Sequence, residues 1–348
     1  MRNLGDTIGR LAARQKSAGP ASGRNHLHEM HGFGTNPGAL VARSFVPADL
    51  RSGAPLVVVL HGCTQTAADY DHGSGWSTLA SEQGFALLFP EQTRANNANL
   101  CFNWFAAEDI RRGSGEVESI RQMIDTMATR HGLDRNRIFI TGLSAGGAMA
   151  LAMLAAHPEL FAAGAIIAGV PYATAKSVPE AFDRMRGQGL PKPARLESLL
   201  RTAAPVPARW PRLSVWQGGG DTTVVPANAD AIIAGWTALH GNLTARTETI
   251  HGQPHRIWRN AAGQDVVESI TIAGMAHGTP IAAHGPQACG TPGPFMLDVG
   301  IPSTRHIAAF WGIAPPVTTV STARVVHNPE SGIESIIHTA LRQAGLMR

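Results

Sequence analysis

The chain has 348 residues, 44% of them hydrophobic and 16% charged, enough for one large α/β domain or two smaller ones. Its formal charge of +4 rests almost wholly on arginine, because lysine occurs only at Lys16, Lys176 and Lys192. The arginines are scattered, without a dense basic block or interleaved aromatics, which argues against nucleic-acid binding, and no apolar run approaches the roughly 20 residues of a membrane span.

At the N-terminus, MRNLGDTIGRLAARQ carries Leu4, Ile8 and Leu11 at helical spacing among charges, so residues 1–37 read as an amphipathic extension. This stretch lacks the apolar core and cleavage site of a secretory leader, which favours a cytoplasmic location. Residues 55–60 (PLVVVL) are a continuous apolar run, with a helix expected near residues 75–83. Residues 85–89 (FALLF) lead through a polar loop to a helix over about residues 116–130, and residues 137–141 lead to a helix after Ser144. Residues 162–168 form another such run, residues 213–216 (LSVW) precede a helix over about residues 226–240, and residues 267–272 alternate as a final strand.

Runs that are apolar throughout suit strands covered on both faces. Their alternation with helices predicts a doubly wound, mostly parallel α/β sheet. Two segments break the rhythm. Residues 172–211 are proline-rich with a helical stretch and read as a cap insertion over a cleft; residues 278–302, rich in Gly, Pro and His, are too long for an ordinary connection. The main domain spans residues 38–312, and residues 313–348 read as a linker followed by a C-terminal helix.

The most informative stretch is RIFITGLSAGGAMALAMLAAHPE, in which Ser144 stands between Gly142 and Gly146 where a strand becomes a helix. That context is the nucleophile elbow, and it makes Ser144 the candidate nucleophile. A serine hydroxyl needs a base, usually His, which a carboxylate orients. Asp221 lies in a Gly-rich turn just past the strand LSVWQ, unlike its rivals Asp230, Asp265 and Asp298; His277 follows the last strand, ahead of His284 and His306 as a choice. The chain order Ser, acid, His is that of α/β-hydrolases. Oxyanion stabilisation calls for backbone N–H groups, and the Ala145 amide and the Cys63 amide in the loop His61-Gly62-Cys63-Thr64-Gln65 are the candidates. The three cysteines form no C-x-x-C or other metal pattern, so neither metal nor cofactor is expected.

The motifs LHGCTQTAADY, FPEQ…CFNWF, GLSAGGAMA, AGVPY and GMAHGTP, in this order over roughly residues 38–312, resemble the polyhydroxybutyrate depolymerase-type esterases of the α/β-hydrolase superfamily. The resemblance implies an α/β-hydrolase fold, a Ser144–Asp221–His277 triad and oxyanion donors at Cys63 and Ala145. It also implies a Cys63–Cys101 disulfide joining the oxyanion loop to the loop that carries Phe102-Asn103-Trp104. The implied activity is a serine carboxylesterase acting on short-acyl esters, a polyhydroxyalkanoate polyester or its oligomers. Feruloyl and acetylxylan esterases are relatives of the group and supply the alternative. The family also allows an extracellular location. Trp104, Tyr172 and Trp216, with Trp76 nearby, are expected to wall an apolar substrate cleft, and His61 is counted among the substrate-contacting residues. A reading of another class, a non-catalytic protein binding polymer granules through its N-terminus, is opposed by the intact Ser, Asp and His set.

Overall fold

In the computed structural model, which describes residues 26–205 and 209–317, the apolar runs become strands. In chain order these are β1 (His28–Met30), β2 (Val41–Phe45), β3 (Leu56–Leu60), β4 (Ala86–Glu91), β5 (Ile138–Leu143), β6 (Ala163–Ile167), β7 (Arg212–Gly218), β8 (Thr244–Ile250), β9 (Gln253–Arg259) and β10 (Asp265–Ile272). They form a ten-stranded sheet in the order β1-β2-β4-β3-β5-β6-β7-β10-β9-β8. The pairings from β4 across to β10 are parallel, and both flanks are antiparallel.

Strand β3 shows why the central strands read as unbroken apolar runs. Leu56, Val58 and Leu60 enter the core on one face, while Val57 and Val59 enter the core on the other. Each such side chain contributes about 1.5–3 kcal/mol on full burial. The first face is covered by α4 (Gly115–His131), α5 (Ala145–Ala156) and α8 (Ala227–Leu239). The second lies under α1 (Ala67–Ser74), α2 (Trp76–Gln83) and α9 (Ser303–Trp311). The remaining helices are α3 (Ala107–Ile110), α6 (Val178–Met185) and α7 (Pro193–Ala203). Helix α5, AGGAMALAMLAA, is buried along its whole length, which accounts for its lack of a polar face.

The flanks depart from the sequence expectation. β1 lies within the segment read as an extension and pairs with β2 through His28, Glu29 and Met30. Its three residues are too few to show a strand period. The amphipathic pattern at residues 4–11 and the C-terminal helix in residues 313–348 fall largely or wholly outside the described residues. At the other flank β8 and β9 form a hairpin around His251 (φ 48°) and Gly252 (φ 74°), the two left-handed residues of a type I′ turn. This edge is rich in Arg, Thr and Glu and mostly exposed, a composition that discourages pairing with another sheet.

Of residues 172–211, α6 reaches the cleft described below through Ala181 and Met185, whereas α7 packs on α8, with the Leu196 Cβ close against Gly235. Residues 278–302 contain β11 (Thr279–Ile281) and β12 (Met296–Asp298), a small two-stranded parallel sheet. Among the described residues no helix is long and apolar enough to cross a membrane, and no group of three or more His, Cys, Asp or Glu is placed to hold a metal ion.

Candidate active site

Ser144 follows β5 and precedes α5, with φ 57° and ψ −117°. This is a strained conformation for a residue with a side chain. It is held by backbone bonds on both sides: the Ser144 N–H donates to Ile167 O at 2.9 Å, and its carbonyl accepts from Ala148 N–H at 2.9 Å. The flanking glycines are required by close approach. A Cβ at Gly142 would meet the Gly146 backbone, and one at Gly146 would meet the carbonyl oxygens of Leu60 and His61. Helix α5 therefore sits directly on the end of β3 and the loop that follows it.

That loop carries Cys63. The neighbouring amides are engaged: Gly62 N–H donates to Gln65 Oε1 at 2.9 Å, Thr64 N–H to Asn99 O at 2.7 Å, and Gln65 N–H to Gly62 O at 3.3 Å. No protein acceptor meets the amide of Cys63 or of Ala145 among the described residues. A disulfide joins Cys63 to Cys101, tying this loop to residues 92–105.

Asp221 and His277 come from the loops after β7 and β10. His277 Nδ1–H donates to Asp221 Oδ2 at 2.7 Å. Asp221 Oδ2 also accepts from Gln217 Nε2 at 3.2 Å, and Oδ1 accepts from the backbone N–H groups of Thr223 and Val224 at 2.8 and 2.9 Å. With Nδ1 occupied, Nε2 is the nitrogen of His277 that can act as a base. The His277 ring meets Phe295 edge-on at 6.1 Å.

Ser144 and His277 open onto one cleft. Its lining is otherwise mostly apolar: Trp104 and Phe105 from one loop, Ala181 and Met185 from α6, Val224 beside Asp221, and Phe295 from the 278–302 segment. Of the expected wall residues only Trp104 lines it. Trp216 is fully buried in β7, its indole N–H donating to Ser214 Oγ at 2.8 Å, because its position in the strand turns it to the second core face. Trp76 is buried in that same core, stacked on Trp311 at 5.7 Å. Tyr172 packs away from the cleft with Leu196, Leu200 and Trp236, its hydroxyl 3.5 Å from Ile110 O. His61 is buried behind the Cys63 loop and does not line the cleft. Its Nδ1–H donates to Gly62 O at 2.8 Å and its Nε2 accepts from Gln92 N–H at 3.1 Å; burial presses its pKa below the ordinary 6.5, so it stays neutral.

His61 belongs to a buried polar chain that motif reading passed over. Glu116, on α4, accepts from Gln92 Nε2 at 2.6 Å, Asn96 Nδ2 at 3.2 Å and Asn103 N–H at 2.9 Å, so one carboxyl anchors the loop that carries Cys101 and Trp104. Burial, with a smaller contribution from Asp109, pushes the Glu116 pKa from 4.5 up to about 8, against the opposing hydrogen bonds. The folded state thus holds this proton more tightly than the unfolded chain. The stability it contributes is complete below about 4.5 and is lost as pH rises through about 8. Across that window unfolding free energy should fall by at most about 1.4 kcal/mol per pH unit from this group. Denaturant titrations from pH 5 to pH 8 should show the slope in the native chain and a flatter one in Glu116→Gln; equal slopes would remove Glu116 as the cause.

Comparison with known proteins defines the class first. An acetyl xylan esterase from Aspergillus awamori superposes with a TM-score of 0.70 over 83% of this chain and 99% of its own, at 24% identity. The fold is that of the α/β-hydrolases, with Ser144 and the loops that carry Asp221 and His277 at the carboxyl edge of the sheet. The family model Esterase PHB depolymerase matches residues 42–257. A poly(3-hydroxyalkanoate) depolymerase C of Paucimonas lemoignei is 44% identical over 292 residues, which cover 82% of this chain and 70% of that protein. An acetylxylan esterase A of Aspergillus oryzae is 28% identical over 75% of this chain and 86% of its own length. The chain belongs to the PHB depolymerase family of esterases and is a hydrolase of carboxylic esters.

Proposed function

We propose that Ser144, His277 and Asp221 are the catalytic triad of a depolymerase acting on short-acyl polyesters of the hydroxyalkanoate type or their oligomers. The observation that carries the catalytic assignment is the strained serine sharing one cleft with a histidine whose Nδ1–H is held by Asp221 at 2.7 Å. Ser144 Oγ attacks the ester carbonyl as His277 Nε2 takes its proton, and Asp221 stabilises the resulting imidazolium. The N–H groups of Cys63 and Ala145 receive the oxyanion. Collapse expels the alcohol, which takes the proton from His277. Water then repeats the sequence on the acyl-enzyme and releases the acid.

The substrate reading is supported by the depolymerase relative at 44% identity and by the apolar acyl wall of Trp104, Met185 and Val224. Trp104 stands edge-on to Phe105 at 5.7 Å, a rigid pair against which a long acyl chain collides. Each extra methylene in such a pocket alters recognition by about 1–3 kcal/mol, so the preference should be graded. The measurement is kcat/KM for p-nitrophenyl esters from acetyl to palmitoyl, with Trp104→Ala alongside. The native chain should favour short groups and Trp104→Ala should shift the optimum to longer ones. A native preference for lauroyl or longer overturns the short-acyl reading, and an unchanged profile in Trp104→Ala removes Trp104 from the wall. Hydroxybutyrate oligomers compared with acetyl-xylan and feruloyl esters separate the polyester reading from the cell-wall esterase alternative.

A further inference from the structure

A second concavity, about 550 Å³ in volume, lies at the amino ends of the parallel strands. Arg137 immediately precedes β5 and Arg212 begins β7, while Trp311 closes α9. The cleft at Ser144 lies beyond the carboxyl end of β5, so the two are separated by that six-residue strand, about 20 Å long.

Three features of this groove point to an anionic occupant. The first is unpaired positive charge. Arg137, Arg201, Arg209 and Arg212 line it and no Asp or Glu does; Arg201 pairs with Glu197 at 2.8 Å, but the guanidinium groups of the other three have no hydrogen bond or ion pair among the described residues. The carboxylates nearest Arg212 are already engaged: Asp265 by Arg246 and Arg259, Glu268 by Ser214 and His255. The second is orientation, since Arg212 lies over the Phe310 ring at 4.7 Å, which holds a largely buried guanidinium in place. Burial disfavours its charged form, a cost that a bound anion offsets. The third is an orphaned donor: Trp311 Nε1–H is buried without a partner among the described residues, and Trp311 lines the groove.

We propose that this groove is a second ligand site that binds a small organic oxyanion, a carboxylate or phosphate carried on an apolar body. The arginines take the charged end, in the forked geometry that guanidinium groups offer to such oxygens. Phe139, Trp210 and Leu239 face the apolar part. Two sources share this chemistry: the acid released by ester hydrolysis, and a phosphorylated small molecule. The inference does not rest on the substrate assigned to the Ser144 cleft.

The test uses the full chain with its active-site serine blocked by a fluorophosphonate, so that the catalytic cleft does not contribute. 3-Hydroxybutyrate and inorganic phosphate are titrated separately by calorimetry in low-salt buffer, with tryptophan fluorescence as a second readout through Trp210 and Trp311. The expected result is one saturable site that weakens as salt is raised. Arg212→Gln should weaken it by roughly tenfold to a hundredfold, the loss typical of a charge-assisted hydrogen bond. Because Arg212 is partly buried, the double variant Arg137→Ala/Arg209→Ala provides an independent check that changes only exposed side chains. Tighter binding of 3-hydroxybutyrate assigns the site to a carboxylic acid, and tighter binding of phosphate to a phosphoryl group. Absence of saturable binding for both probes, or binding unchanged in both variants, overturns the proposal.

Discussion

Replacing Ser144 by alanine should lower kcat for ester hydrolysis by about 10⁴-fold or more while leaving the fold in place. The change removes one oxygen from a residue whose backbone is fixed by bonds to Ile167 and Ala148, and neither bond involves the side chain. His277→Ala should cost a comparable factor, and combining the two should add little, since nucleophile and base act as a unit. Asp221→Asn should cost less than either but still several orders of magnitude. The Thr223 and Val224 N–H groups hold the amide oxygen on their side, so the NH2 faces His277 Nδ1 and disfavours the Nδ1–H tautomer, and the charge that stabilises the imidazolium is gone. Thermal melts alongside kinetics separate loss of chemistry from loss of structure. Retention of native activity by Ser144→Ala with an unchanged melt would falsify the nucleophile assignment.

Opening the Cys63–Cys101 bond should destabilise the chain by about 4 kcal/mol, from the loop-closure entropy of a crosslink spanning 38 residues. For a chain of this size such a loss corresponds to a drop in Tm of about 5–6 °C. The comparison is the native chain with Cys63→Ala/Cys101→Ala under oxidising conditions, and with the native chain after reduction. Activity should fall less steeply than stability, because the Thr64 N–H bond to Asn99 O and the Glu116 hydrogen bonds still tie the two loops. A melting temperature unchanged in the double variant shows that the bond adds nothing to the folded state's advantage.

Legibility in the sequence followed burial. Strands β3 to β7 were readable because both faces are covered and the runs are mostly apolar. The β8–β9 hairpin was not: among its strand residues only Ile257 is deeply buried, and a His251-Gly252 turn is a weaker signal than Asn-Gly. The spacing of Ser144, Asp221 and His277 was legible because each follows a recognisable strand. The cleft wall was largely illegible. An aromatic near a strand end does not announce which face it takes, and Trp216 takes the core face. Phe295 arrives from a long segment with no periodic pattern, and its positive φ of 62° has no signature in a bulky residue. The arginines at positions 137, 209 and 212 look scattered along the chain because only the sheet brings the starts of its strands together.

The contact between Gly146 and the carbonyls of Leu60 and His61 divides the molecule's labour in a way that bears on its adaptability. The spacing between the Cys63 and Ala145 amides, the proposed oxyanion donors, is set by main chain resting on main chain, with no side chain between. The acyl wall, by contrast, comes from α6 and from two long loops, attached through bonds such as Val225 N–H to Met185 O at 2.9 Å. Reaction chemistry and acyl-group choice are therefore built from separable parts. Exchanging α6, which is not tied to the Cys63 loop as the Trp104 loop is, should redraw the range of esters accepted while the pH dependence of turnover stays as it was, which makes this scaffold suited to diversification by cap replacement.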